Sequence, residues 1–347
     1  MGPNFLHNIE GGELPKDRGG RLRNILTIFL LVFMVGGFFL QKSLTKNGET
    51  LTIKNLVEPF TQVDDFLNNL GEGDLVAPPP VDMRPQLPQL KGEMLDLEQF
   101  SAKAIIVKDR ETGMVLLGKN EYGQRPLASI TKLMSALVIL EKKPDWTTST
   151  VVIGPDSLDT HMYAGDIYTL EELWNSALIA SSNKAILTLA NALGWPEAAF
   201  VERMNEKARE LGMIDTFFTD PSGLDSTNVS TASDIVMLLN EAMKQERIRD
   251  TLIKPEYNLY SDQRGQSHHM WNTNWLLLGW VTNDFYKIYG GKTGYISASG
   301  YNFTVRVANE AGKILDVVVL GADTHEGRFT EARDVSEWAF ENYEWPD

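Results

Sequence analysis

The runs of this chain that look like strands sit at the two ends of one long stretch, and the residues between them are patterned as helices. Ala104-Ile105-Ile106-Val107-Lys108 and Met114-Val115-Leu116-Leu117 read as a hairpin across Glu111-Thr112-Gly113. Asn302-Phe303-Thr304-Val305-Arg306-Val307 and Asp316-Val317-Val318-Val319-Leu320 read as a second pair, turning at Glu310-Ala311-Gly312-Lys313. Between the pairs, Ser129 to about Gln245 is mostly helical, most clearly from Leu170 to Ala190. A last helix, from about Arg328 to Asn342, offers Phe329, Ala332, Val335, Trp338 and Ala339 to a core. The pattern predicts an α+β domain: one antiparallel sheet built from both ends, with flanking helices and a helical insert packed on it.

Ahead of this domain, Ile25 to Leu40 runs for sixteen residues without a charge, with Arg21 and Arg23 before it and Lys42 after. At about 1.5 Å per residue it spans about 24 Å, a little under a ~30 Å hydrocarbon core, and Gln41 and Lys42 can snorkel to cover the difference. The leader is long and Phe38-Phe39-Leu40-Gln41-Lys42 offers no small-residue cleavage site, so an uncleaved signal anchor is expected. The positive-inside rule then gives a cytoplasmic tail at 1–24, a transmembrane helix at 25–42 and everything later outside, on a single-pass membrane protein. Residues 43–100, with Pro78-Pro79-Pro80, Pro85 and Pro88, read as an extracytoplasmic tether, which leaves 101–347 as the functional domain.

Composition removes several classes of function. The 347 residues include no cysteine, which excludes disulfides, thiolate catalysis and zinc–cysteine sites. A formal charge of −15 argues against a nucleic-acid partner. His268-His269 suggests a metal, but adjacent strand residues point to opposite faces and no His-Glu-x-x-His accompanies them. No metal and no cofactor are expected, and His161 and His325 read as lone surface or loop residues. Trp271, Trp275, Trp280, Phe285 and Tyr286 read as core and groove wall.

Chemistry enters at Pro126-Leu127-Ala128-Ser129-Ile130-Thr131-Lys132. Leu133, Ala136, Leu137 and Leu140 come next at helical spacing, so Ser129 is expected in a first turn with Lys132 on the same side. A hydroxyl becomes nucleophilic when a base takes its proton, and an amine can do so once burial beside another cation makes it neutral. Ser-x-x-Lys alone is common, and Ser181-Ser182-Asn183-Lys184 is a second instance. The first gains meaning from two motifs downstream: Ser181-Ser182-Asn183, and then Lys292-Thr293-Gly294-Tyr295. Ser-x-x-Lys, a Ser-x-Asn and Lys-Thr-Gly in this order are the signature set of penicillin-binding proteins and class A β-lactamases.

From about Ser101 to Tyr343 the sequence resembles the serine-type D-alanyl-D-alanine carboxypeptidase family, the low-molecular-mass penicillin-binding proteins of the β-lactamase/transpeptidase-like fold. Gly165-Asp166-Ile167-Tyr168-Thr169-Leu170, Pro221-Ser222-Gly223-Leu224 and Asn272-Thr273-Asn274 also match that family's habits. The resemblance implies that Ser129 attacks the carbonyl between two D-alanines and Lys132 takes its proton. It implies that Ser181 relays a proton between Lys132, Lys292 and the leaving amine. Asn183 would hold a substrate carbonyl and orient Lys132, while Lys292 would supply fixed positive charge. Thr293 would bind the terminal carboxylate, Gly294 would let substrate lie against a strand edge, and the N–H groups of Ser129 and Tyr295 would form the oxyanion hole.

The implied partners are peptidoglycan pentapeptide and, as covalent inhibitors, β-lactams, with the domain held outside a bacterial cell membrane. Two residues depart from the family pattern: Ser182 stands where glycine is usual, and Lys184, often aspartate, adds a cation expected near the site. The β-rich tail domain and C-terminal anchor of some members have no counterpart here, so the N-terminal segment is expected to do the anchoring. A D,D-endopeptidase would use the same groups. A β-lactamase is a weaker reading because no deacylating glutamate can be placed, and a catalytically silent wall-binding module is weaker still.

Overall fold

The computed structural model describes residues 86–159 and 161–346. The expected cytoplasmic tail and transmembrane segment, and residues 43–85 of the expected tether, lie outside the described residues. Among the described residues, no helix is long and apolar enough to cross a membrane.

Five strands make the main sheet, two from the start of the domain and three from its end. The first pair is β1 (Ala104–Asp109) and β2 (Val115–Lys119). Helices α1 (Thr131–Glu141), α2 (Leu170–Ile179), α3 (Asn183–Ala192), α4 (Glu197–Glu210), α5 (Ala232–Lys244) and α6 (Glu246–Leu252) come after it. The chain then returns through β3 (Lys287–Ile296), β4 (Gly300–Ala308) and β5 (Ile314–Ala322) and ends on α7 (Gly327–Asn342). The order across the sheet is β3-β4-β5-β1-β2, antiparallel throughout, so β5 pairs with β1 in the register Val318 to Ile106 and β3 is an edge.

The unbroken apolar run of β1 has a simple cause: both faces of the sheet are covered. Ala104 and Ile106 join Val318, Leu320 and the helical insert in one core. Ile105 and Val107 join Val317, Val319 and the α7 residues Phe329, Ala332, Val335 and Ala339 in a second. Alternation along a strand assigns successive side chains to the two cores. Trp338, expected in the core, is only half-buried at the rim of this second cluster.

The domain begins earlier than the expected boundary at residue 101. Gln89–Leu90 pairs antiparallel with Tyr343–Glu344, and Lys119 Nζ donates to the carbonyls of Leu97 and Phe100 at 3.1 Å each. The last part of the presumed tether is therefore docked on the domain. Backbone and lysine contacts of this kind leave no apolar periodicity in the sequence.

A second revision concerns the aromatics. Trp271 is 48% and Trp280 51% exposed, and Tyr286 is 70% exposed, so these three are surface residues and not core. Trp275 and Phe285 pack inward against the second core, Trp275 stacked on Phe329 with centroids 5.7 Å apart.

Candidate active site

Ser129 sits in a 3-10 turn, Ala128–Ile130, that runs directly into α1, and it precedes the α-helix proper. Ala128 has φ of 50°, a left-handed conformation costing about 1–3 kcal/mol at a non-glycine residue. The turn is wedged between two glycines. A Cβ on Gly223 would stand 1.9 Å from the Ala128 carbonyl oxygen, and one on Gly294 would stand 2.6 Å from that of Leu127 and 3.1 Å from the Ser129 nitrogen. Gly294 is thus required by the protein's own backbone, before any substrate is considered.

Lys132 is fully buried on α1, and its Nζ lies 2.7 Å from Ser129 Oγ. It donates to Asn183 Oδ1 and to the carbonyl of Ser222, both at 2.8 Å. This set suits a neutral amine: two acceptors take its two protons, and the lone pair is left for the Ser129 hydroxyl. Burial pushes the Lys132 ammonium down to about 7, while the carboxylates of Asp220 and Asp159 pull it up. The lowering comes first from desolvation, the burial that the sequence reading invokes.

Ser181 lies between α2 and α3, also with positive φ, 62°. Its hydroxyl accepts from Lys292 Nζ at 2.8 Å, and Lys292 also donates to the Thr293 carbonyl. Ser181 is thereby held by the strand lysine, while Lys132 is held by Asn183. Lys292 is buried with no carboxylate partner among the described residues, and burial, then Lys132 and Arg328 beside it, push its ammonium well down. The charge on Lys292 that the resemblance implies therefore calls for a negative partner at this place.

Thr293, Gly294 and Tyr295 come directly after Lys292 on edge strand β3. The Thr293 hydroxyl donates to Thr273 Oγ1 at 2.7 Å. Tyr295 is half exposed and stacked on Tyr301, with centroids 4.3 Å apart. All eight expected residues therefore belong to one connected neighbourhood made by α1, the α2–α3 junction and β3.

Sequence reasoning misses other members of that neighbourhood. Arg328, on the first turn of α7, is 4% exposed, donates to the Gly294 carbonyl at 3.3 Å and contacts His325 Nε2 at 2.7 Å. Burial lowers its pKa to about 10. His325 is accordingly not a lone surface residue: it packs on Trp275 at 4.3 Å and Tyr301 at 5.8 Å. Nothing local in the sequence marks Arg328, because its role depends on β3 lying alongside. Asp220 is better signalled, since Asp220-Pro221-Ser222-Gly223 is a turn sequence; its carboxylate accepts from Ser222 N and Gly223 N.

A serine paired with a buried lysine, and a second lysine on an antiparallel edge strand, define a serine acyl-transfer site of the penicillin-binding type. The family model for D-alanyl-D-alanine carboxypeptidases, Peptidase_S11, matches residues 91–324, and the chain belongs to that family. The chain is 31% identical to the D-alanyl-D-alanine carboxypeptidase DacF of Bacillus subtilis over 70% of its own length. It spans 63% of the length of that relative, and the same share of the carboxypeptidase DacA of Haemophilus influenzae. It is also 32% identical to a D-alanyl-D-alanine endopeptidase of Haemophilus influenzae, over 58% of this chain and 68% of the relative. Among solved structures, penicillin-binding protein D2 of Listeria monocytogenes in its cefotaxime- and ampicillin-bound forms matches with a TM-score of 0.59 and 29% identity, covering 70% of this chain and 98% of that one.

Proposed function

We propose that this protein is a serine-type D-alanyl-D-alanine carboxypeptidase that removes the terminal D-alanine of peptidoglycan stem peptides. The observation that carries the reading is the 2.7 Å approach of a fully buried, depressed-pKa Lys132 to Ser129 Oγ. Neutral Lys132 takes the Ser129 proton as Oγ attacks the carbonyl carbon between the two D-alanines. Negative charge developing on the carbonyl oxygen is met by the backbone N–H groups of Ser129 and Tyr295. The C–N bond then breaks, and the leaving amine receives a proton through Ser181. Water hydrolyses the resulting ester and restores Ser129.

The cations on the strand side give the carboxypeptidase reading its substrate. A terminal carboxylate beside Thr293, Lys292 and Arg328 supplies the negative charge this group of cations lacks. On binding, it draws a proton onto Lys292 and leaves Lys132 as the neutral base. β-Lactams would acylate Ser129 by the same route. The membrane anchor at 25–42, with the domain on the extracytoplasmic face of a bacterial membrane, rests on the charge pattern of the N-terminal segment.

Endopeptidase action on D-alanine cross-links is the second reading, favoured by the relative of that name. Incubation with free pentapeptide and with cross-linked muropeptide separates the two. Release of D-alanine from the free pentapeptide alone supports trimming, and cleavage of the cross-link alone overturns it.

A further inference from the structure

Lys184 takes no part in the chemistry above, yet it is fully buried directly after Asn183 on the first turn of α3. A cation at a helix N-terminus opposes the helix dipole, and a buried one needs a partner. Its partners all lie on the loop 153–165. Nζ donates to Asp156 Oδ1 at 2.8 Å and to the Met162 carbonyl, and stands 5.5 Å from the Tyr163 ring centroid. The second departure from the family pattern does similar work. Ser182 Oγ and the Lys184 backbone N–H both donate to Asp159 Oδ2 at 2.9 Å. Lys184 is therefore a cation beside the site, as expected, and it serves as a peg holding a loop.

Between these two attachments lies Leu158, whose carbonyl accepts from Asn183 Nδ2 at 3.3 Å. A planar amide has an oxygen end and a nitrogen end, so fixing one directs the other. With its nitrogen on Leu158, Asn183 turns Oδ1 toward Lys132. We propose that Ser182 and Lys184 clamp the 153–165 loop so that Leu158 sets the direction of the Asn183 amide, which makes Lys184 a positioning residue for Lys132. This rests on the reading that Ser129 is the acylated nucleophile. The clamp also fixes Asp159, one of two carboxylates whose field reaches Lys132. Asp220 is the other, and from β3 the buried Lys292, with Arg328 behind it, also faces Lys132.

The test uses the full chain and a fluorescent penicillin, with acylation rates measured for the native protein, Lys184→Met, Asn183→Ala and the double variant. Lys184→Met is expected to acylate about tenfold more slowly, the scale of a displaced catalytic contact, and to change the rate less than about twofold once Asn183 is alanine. Asp159→Asn is expected to move the acidic limb of the pH–rate profile to lower pH, because losing a carboxylate favours the neutral amine; a merely destabilised fold moves no limb. A native rate in Lys184→Met, or the same fractional loss with and without the Asn183 amide, overturns the proposal. Should Lys184→Met not fold, Asp156→Asn, altering an exposed carboxylate, replaces it with the same expectations and the same overturning results. A native chain that takes no label defeats the parent reading instead, whereas a labelled native chain with an indifferent Lys184→Met defeats only this one.

Discussion

Lys292 on the edge strand reaches Ser181 Oγ at 2.8 Å, joining the C-terminal sheet to the junction between two helices of the insert. Removing Ser181 Oγ leaves the buried Lys292 with only the Thr293 carbonyl and breaks the proposed proton path to the leaving amine. Ser181→Ala is expected to slow penicillin acylation about 10²- to 10⁴-fold, the range for a lost proton-transfer group, while Ser129→Ala takes no covalent label. Gel fluorescence after timed labelling checks both, and label surviving in Ser129→Ala removes the nucleophile assignment.

The Lys132 environment fixes a pH dependence. Its pKa is depressed to about 7, so the amine is protonated below that value and neutral above it. Acylation is therefore expected to rise with pH through about 7 and then level. A stopped-flow profile that is flat down to pH 5 would show that some other group takes the proton.

Close backbone approach makes Gly294 intolerant of any side chain. Gly294→Ala places a methyl against the Leu127 carbonyl and the Ser129 amide, pushing the nucleophile's turn off the strand. We expect at least a 10²-fold loss of acylation with a lowered melting temperature. Native-like labelling would mean that turn and strand separate without consequence.

Away from the site, Arg306 and Asp316 face each other on β4 and β5 as a buried bidentate pair, at 2.6 and 2.8 Å. Arg306→Met alone strands a buried carboxylate and is expected to cost about 3–5 kcal/mol in urea unfolding, whereas Arg306→Met with Asp316→Leu costs much less. Equal losses in the single and double variants would contradict this.

The docked segment before residue 101 gives a stability prediction. A chain starting at 101 loses the strand pairing of Gln89–Leu90 and the two carbonyls that hold Lys119. It is expected to melt several degrees below one starting at 86, since about 1–2 kcal/mol of lost contacts corresponds to a shift of that size. Identical melting curves would restore the boundary at 101.

How much is legible in the sequence depends on where each residue's partners are. The strands of the sheet declare themselves because covered faces demand unbroken apolar residues, as in Ala104 to Val107. The serine, asparagine and lysines of the site come as short contiguous motifs and are legible for that reason. Arg328 is not, because its partner Gly294 is brought to it only by the fold. The partners of Lys184 are hidden for the same reason, Asp156 and Met162 lying on a loop with no pattern of its own. The exposure of Trp271 and Trp280 is equally hidden, since aromatic composition does not say which side of a strand or turn faces water.

The interior strand β1 finds its neighbour β5 only after the entire helical insert has been laid down, Ala104 meeting Leu320. A growing polypeptide therefore carries Ser129 and Lys132 through the making of the whole insert with no Lys292 to complete the arrangement. Partial products ending before Ala322 should be inert toward penicillin however well their helices form. Such distant pairing also makes for slow maturation, so reactivity should appear late and all at once.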